Sequence, residues 1–465
     1  MKKLLLFSLL LLFYCSDNYI RTIQNVENNL YTKNFDSAIP EIRNLVLDAP
    51  EKDKLLYLME AGVVLHSKRD YESSNKAFKE AEEISETIQS SITKNTLSFA
   101  LSDNESNFLG ENFEKVMIKV YIALNYLCMN DYENAKRYFK KVEFELKEMN
   151  ASDEKYKQNL FARYLDAIAS EYLNKYNDAR VQYKNLSDLA GPNEFLGDRY
   201  ALARKEGDLL DAKKYSAGMN SLAAYNKGLQ PIPYSPELGE LIIINQAGKA
   251  AVKESRGKLM DDPTLSKALR ASVEGSLRSQ SVAGVAITGV ILTLAFAENP
   301  IPIYKDRDVQ SAAEAKVLVN NSNVGNTKIM NDYSDTAIKS FNENYNAIMT
   351  KNVTSIASKV VVAAMAAITI GQASGSGKKG DDNSAALIKG AIGLVTGLVA
   401  GYAISQTIKP DLRCWRTMPS NFQVKRIYLE EGEYDLEIQT ASGKSEKTKV
   451  RIEKSKPLFM NFRSL

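Results

Sequence analysis

The chain of 465 residues is 44% hydrophobic, long enough for two to four domains that each bury a core. Its 60 basic and 57 acidic residues leave a formal net charge of +3, too small an excess to mark a nucleic-acid surface. His66 is the only histidine, which removes the usual zinc sites and the triads that use imidazole as base, so no catalytic residue, metal or other cofactor is expected.

Lys2 and Lys3 precede an unbroken apolar run from Leu4 to Phe13. That is the layout of a secretory signal, too short to span a bilayer, and residues 1–14 are read as a signal peptide. The next residues, Leu12-Phe13-Tyr14-Cys15, resemble the lipobox of bacterial lipoproteins. The resemblance implies acylation at Cys15 and a body held at a membrane by fatty chains, each buried methylene contributing about 0.8 kcal/mol. Cys128 and Cys414 are left as either one disulfide or two buried thiols.

Residues 15–228 carry a repeated helical hairpin. Ala123, Tyr126, Tyr132, Ala135, Phe139 and Val142 stand at the spacings of a tetratricopeptide repeat, with small residues where two helices approach and aromatic ones between hairpins. Gly62, Leu65, Tyr71, Ser74, Phe78 and Ala81 write a second hairpin. Ala167, Tyr176, Ala179, Tyr183 and Leu186 write another, and Phe35, Ala38, Ile42 and Leu45 write half of one more. The first helices, set in register, place Leu56, Met59, Val63 and His66 on the concave face, followed by Met117, Val120, Leu124 and Leu127, then Phe161, Tyr164, Ile168 and Glu171. Leucine, methionine and aromatic side chains suit an apolar or amphipathic helix better than a charged peptide tail. The expected partner is therefore a protein or apolar helix, from another chain or from this chain's own later helices.

After the proline-rich GLQPIPYSPE, Leu241 to Ile244 reads as a buried strand closed by the turn Asn245-Gln246-Ala247-Gly248. Gly239 to Ile243, Gly248, Lys253-Glu254, Asn299 to Tyr304, Asp411 to Pro419 and the lipobox together resemble an uncharacterised family of bacterial cell-envelope lipoproteins with TPR-like N-terminal halves. The resemblance implies a location and an architecture rather than a reaction.

Three stretches are almost free of charge: Ser281 to Ala297, Val360 to Gly371, and Ala385 to Ser405 with its single Lys389. Alanine, glycine, serine and threonine dominate them, which favours helices packed inside the protein. Gly393, Gly397 and Gly401 form a four-residue ladder for close helix packing, since glycines costing a helix ~1 kcal/mol each need contact in return. The segment SGSGKKGDDNS lacks the spacing and the Ser or Thr of a phosphate loop and is a polar linker. From Asn421 the period changes to two, giving strands at Phe422 to Leu429, Tyr434 to Ile438, Lys447 to Ile452 and Leu458 to Phe462. Trp415, the single tryptophan, is flanked by Arg413 and Arg416; this trio is either a core plug or an exposed hot spot for a partner.

The fold expected is α+β and mainly α. A TPR-like α-solenoid occupies 15–228, a mixed strand and helix region 229–345, apolar Gly/Ala-rich helices 346–408, and a small antiparallel β-sandwich 409–465. The function expected is that of a non-enzymatic protein-binding scaffold, lipid-anchored in the bacterial cell envelope at the outer membrane and facing the periplasm. Two alternatives remain open. One is a regulatory subunit that activates peptidoglycan synthesis; the other is a membrane-embedded export or pore component, which requires Ser281 to Ala297 and Ala385 to Ser405 to enter lipid.

Overall fold

The computed structural model describes residues 17–94, 107–148, 159–225, 233–277, 290–307, 312–374 and 382–465. The signal peptide, Cys15, residues 281–289 of the first apolar stretch and residues 375–381 of the polar linker lie outside them.

Five antiparallel helical hairpins follow one another: α1 (Asp17–Tyr31) with α2 (Phe35–Leu47), α3 (Lys54–Ser67) with α4 (Tyr71–Lys94), α5 (Asn112–Cys128) with α6 (Tyr132–Glu148), α7 (Leu160–Tyr172) with α8 (Tyr176–Ala190), and α9 (Leu196–Glu206) with α10 (Leu209–Tyr225). Each turn contains one left-handed residue, Lys33, Arg69, Asn130, Asn174 or Gly207. Five positions beyond it a small residue, Ala38, Ser74, Ala135, Ala179 or Ala212, is buried where the second helix meets the first. In α3 the absence of a side chain at Gly62 leaves room for the Phe78 ring of α4, which a Cβ would overlap.

The two helices of a hairpin bury themselves differently. The outer α6 buries one stripe, Ala135, Lys136, Phe139, Val142 and Leu146, whereas the inner α3 and α5 are buried on nearly every side. A helix apolar all round must be covered all round. The inner helices therefore need a cover on the concave side, which the hairpins alone do not supply.

That cover comes from the second half of the chain. One four-stranded sheet has the order β10 (Pro457–Ser464), β1 (Gly239–Ala247), β7 (Asn421–Leu429), β6 (Lys328–Asp332). In it β1 runs parallel to β10 and antiparallel to β7. A second, wholly antiparallel sheet has the order β5 (Ser322–Asn326), β4 (Lys316–Val319), β8 (Gly432–Gln439), β9 (Ser445–Ile452). Leu241, Ile243, Val317, Ile427, Leu436, Ile438, Ile452 and Phe462 fill the space between them. The sandwich expected from the last four strands is thus completed by β1 and β4 to β6 from the middle of the chain. A short pair, β2 (Val252–Glu254) with β3 (Ile303–Lys305), lies outside both sheets.

A separate core gathers α11 (Pro263–Leu277), residues 290–301 and the first half of α13 (Tyr345–Ser374), with Leu265, Leu269, Val290, Leu294, Ile356 and Val360 inside it. Helix α12 (Tyr333–Glu343) links this core to the sheet. The long α13 pairs with α14 (Asp382–Thr407), so the apolar helices pack on each other, but they are not packed inside the protein as expected, since Val362, Met365, Val395, Val399 and Tyr402 are exposed. Among the described residues no helix is long and apolar enough to cross a membrane.

Candidate functional site

The eleven positions assigned to the concave groove, Leu56, Met59, Val63, His66, Met117, Val120, Leu124, Leu127, Phe161, Tyr164 and Ile168, are each buried. The groove is not open. Its guest is intramolecular, and it is the face of a β-sheet rather than the later helices that the sequence suggested. Because side chains alternate along a strand, β1 turns Leu241 and Ile243 into the sandwich and Ile242, Ile244 and Gln246 into the solenoid. Phe422 and Val424 of β7 and Phe459 of β10 complete the inserted face. The Phe422 ring lies 4.9 Å from that of Phe161 and 5.8 Å from that of Tyr121.

A strap from Asp411 to Met418 fills the rest. Trp415 is 1% exposed, with its ring 5.8 Å from Phe78 and 5.9 Å from Tyr121. Of the two readings left open for Arg413, Trp415 and Arg416, the structure gives the core plug; no indole is available to an outside partner. Carboxylates on the solenoid hold the strap by its backbone. The Glu114 side chain accepts from Trp415 N at 2.9 Å, and Glu60 accepts from Arg416 N at 2.8 Å and Thr417 N at 3.0 Å. Both guanidiniums are paired, Arg413 with Asp53 at 2.6 Å and with Asp411 at 2.8 Å, and Arg416 with Glu27 at 2.9 Å. Burial pushes the Glu114 carboxyl up to about 7 and raises that of Glu60.

His66 sits deep in the contact. Its Nδ1 donates to Asn125 Oδ1 at 2.5 Å, while its Nε2 accepts from Gln246 Nε2 at 2.7 Å and Asn461 Nδ2 at 2.6 Å. Two amide donors on one ring nitrogen require a lone pair there, so the neutral ring protonated at Nδ1 fits this network. Burial lowers its pKa to about 4. The ring joins a solenoid helix to two strands and is enclosed on every side, as a structural histidine and not a base facing substrate.

At the other end of the groove, Arg426 of β7 reaches three carboxylates: Glu171 at 2.7 Å, Glu240 at 2.7 Å and Asp198 at 3.1 Å. Lys205 shares two of them, Glu171 at 2.7 Å and Glu240 at 3.1 Å. Burial by itself would raise the Glu171 carboxyl, but Arg426 and Lys205 hold it down at about 2. A surface cavity of about 330 Å³ borders this cluster, lined by Glu171, Tyr172, Lys205, Tyr234 and Glu240. Its charged walls already satisfy one another. Cys128 and Cys414 are free thiols, pushed by burial up to about 12 and about 11.

The glycine ladder lies on α14. Gly397 and Gly401 are buried, and a Cβ on Gly401 would come within 2.7 Å of Val290 Cα, so that residue is where the helical stretch at 290–293 meets α14. Gly393 lies on the same helix.

Sequence reasoning passed over the polar residues that fix the contact: Glu60, Glu114, Gln246, Arg426 and Asn461. A signal for them existed. Glu60 and Glu114 interrupt helices that are otherwise apolar, and Arg426 occupies the face of β7 that also carries Phe422 and Val424; isolated charges at such positions are tolerated only when paired.

Fold and contact together define a tetratricopeptide-like helical-repeat protein closed on its own β-sandwich. No protein-family model matches the sequence, and no curated protein matches it. Among solved structures, the chain is similar to a tetratricopeptide repeat protein from Parabacteroides merdae, at 13% identity and a TM-score of 0.22, over 45% of this chain and 80% of that one.

Proposed function

We propose that the protein is a bacterial envelope lipoprotein, acylated at Cys15 and facing the periplasm from the outer membrane, that acts as a non-enzymatic scaffold for protein partners. The observation that carries this reading is the closure of the groove. The buried groups with displaced pKa values, His66, Glu114 and Glu171, are consumed in joining solenoid to sandwich instead of converging on an open cleft. Displaced pKa values usually mark catalytic sites, but closed structural networks also produce them. What remains for a partner is the outer surface, where Leu209 and Leu210 at the start of α10 are 73% and 83% exposed.

The test places a photo-crosslinking residue at Leu210 or at Leu124 in the full chain and irradiates intact cells. Discrete adducts from position 210 and none from 124 are expected. Adducts from 124 mean that the groove opens to partners, and silence at both positions removes the scaffold reading. Mass spectrometry of the N-terminal peptide reads the anchor separately, and an unmodified Cys15 refutes it.

A further inference from the structure

The α13–α14 pair carries an apolar surface that the other described residues leave uncovered. Val395, Val399 and Tyr402 on α14 are 58%, 68% and 53% exposed, and Val362 and Met365 on α13 are 68% and 47% exposed. Their spacings, i, i+4, i+7 and i, i+3, make each set a stripe along one side of its helix. The α14 stripe continues onto the preceding segment, since the Tyr402 ring lies 6.0 Å from that of Phe296, itself 59% exposed beside the equally exposed Leu292. Contiguous exposed apolar surface of this kind marks an interaction site.

The surroundings of the stripe indicate what covers it. Val360 to Gly377 and Gly390 to Ile408 contain no charged residue. A protein-docking surface has a polar rim that hydrogen-bonds its partner. Here the exposed described neighbours on the two helices include Ala366, Thr369, Ala403 and Thr407, and both hydroxyls are already donated to helix carbonyls, Thr369 to Met365 at 2.9 Å and Thr407 to Ile404 at 2.8 Å, while at the edge Lys258 donates to the Phe296 carbonyl at 3.3 Å. Each uncharged stretch is bounded by lysine at both ends, Lys359 and Lys378 for α13 and Lys389 and Lys409 for α14, and cations flanking an apolar face suit anionic headgroups.

We infer that this face is a lipid-binding surface, embedded at the boundary between headgroups and acyl chains of a bilayer and not crossing it. The chain path agrees. Tyr19, near the start of α1, donates its hydroxyl to the Cys414 carbonyl at 3.0 Å. An extended chain covers at most ~3.5 Å per residue, so the base of α14 at Lys409 lies within about 20 Å of that point. The lipidation reading of Cys15, four residues before Tyr19 in the sequence, would add acyl chains as a second attachment to the same bilayer. That last step rests on the anchor; the apolar face does not.

The experiment uses the full chain with Cys15→Ala, carrying an environment-sensitive fluorophore at Val399→Cys, or at Leu47→Cys on α2, where the native leucine is 76% exposed. It is mixed with vesicles of phosphatidylethanolamine and phosphatidylglycerol bearing nitroxides on their acyl chains. The protein is expected to float with the vesicles, with the Val399 probe quenched at least threefold more than the Leu47 probe. Val395→Lys with Val399→Lys should reduce flotation at least fivefold while leaving the circular dichroism spectrum unchanged. Equal quenching at both probes overturns the inference, as does flotation without quenching at 399, which assigns binding to another part of the chain. Concentration-dependent self-quenching of the Val399 probe without lipid overturns it in favour of a second copy of the chain. Because Cys15 is absent from this measurement, its outcome is independent of whether the anchor reading stands.

Discussion

Arg426→Met tests whether the buried charge cluster locks the solenoid to the sandwich. The guanidinium is fully enclosed and holds Glu171, Glu240 and Asp198 at 2.7 to 3.1 Å. Removing one partner of a buried ion pair costs about 3–5 kcal/mol, because the orphaned charges stay desolvated. The Glu171 carboxyl gives an independent figure. It is held at about 2 against an ordinary 4.5, and at ~1.4 kcal/mol per unit that difference is roughly 3 kcal/mol. Its sign is fixed: a depressed carboxylate contributes stability above its unfolded pKa and loses it as the pH falls toward the folded one. The wild type therefore weakens between about pH 4.5 and pH 2. The methionine variant lacks that contribution, and its freed carboxyls take up protons more readily, so its deficit narrows on acidification. Trp415 lies in the same contact as the only tryptophan, so its fluorescence reports separation of the two halves, while circular dichroism reports the helices. Urea titrations at pH 7 and pH 4 should show a loss of about 3–5 kcal/mol at neutral pH and a smaller one in acid. A loss below ~1 kcal/mol at pH 7, the range of an exposed pair, or an equal loss at both pH values, refutes the reasoning.

Two titrations of opposite sign should be separable by variants. The neutral His66, lowered to about 4, makes the wild type lose up to about 3 kcal/mol relative to His66→Gln as the pH falls from 6.5 to 4, measured by thermal or urea unfolding. The raised Glu114, at about 7, does the reverse: relative to Glu114→Gln the wild type gains stability as the pH falls from 7 to 4.5, by up to about 3 kcal/mol. Trp415→Ala should cost about 3–5 kcal/mol in urea unfolding by circular dichroism, and a cost near zero would remove the strap from the core. Gly62→Ala should cost about 1–3 kcal/mol by forcing the Phe78 ring aside, read from the same titration.

The helical repeat was legible because its cause is local. A left-handed residue followed five positions later by a small one sets the angle of each hairpin, and both residues are written within a few positions of one another. The same spacing at Gly207 and Ala212 announces the last hairpin, which the sequence reading overlooked because α10 lacks the aromatic pattern of the others. Helix α1 escaped for a different reason: the hairpin pattern is written only from Phe35 onward, which gives half of the first hairpin. The strand at Leu241 was legible in its apolar run, which means burial on both faces, but Asn245 to Ala247, expected to begin the closing turn, continue the strand and pair with both neighbours.

What the residues alone determined, then, is the middle hairpins of the solenoid, the strand at Leu241, the four C-terminal strands and the apolar character of the groove, because periodicity and turn chemistry act over a few residues. The occupant of that groove was decided by tertiary structure. Leu56 or Leu124 has the same side chain whether it meets a foreign helix or Ile242 and Phe422 of its own chain. The choice depends on pairing β1 with strands about two hundred residues downstream, and on Glu60, Glu114 and Arg426 finding partners from the other half. Contacts across such separations follow from the shape of the whole fold and leave no period in the sequence.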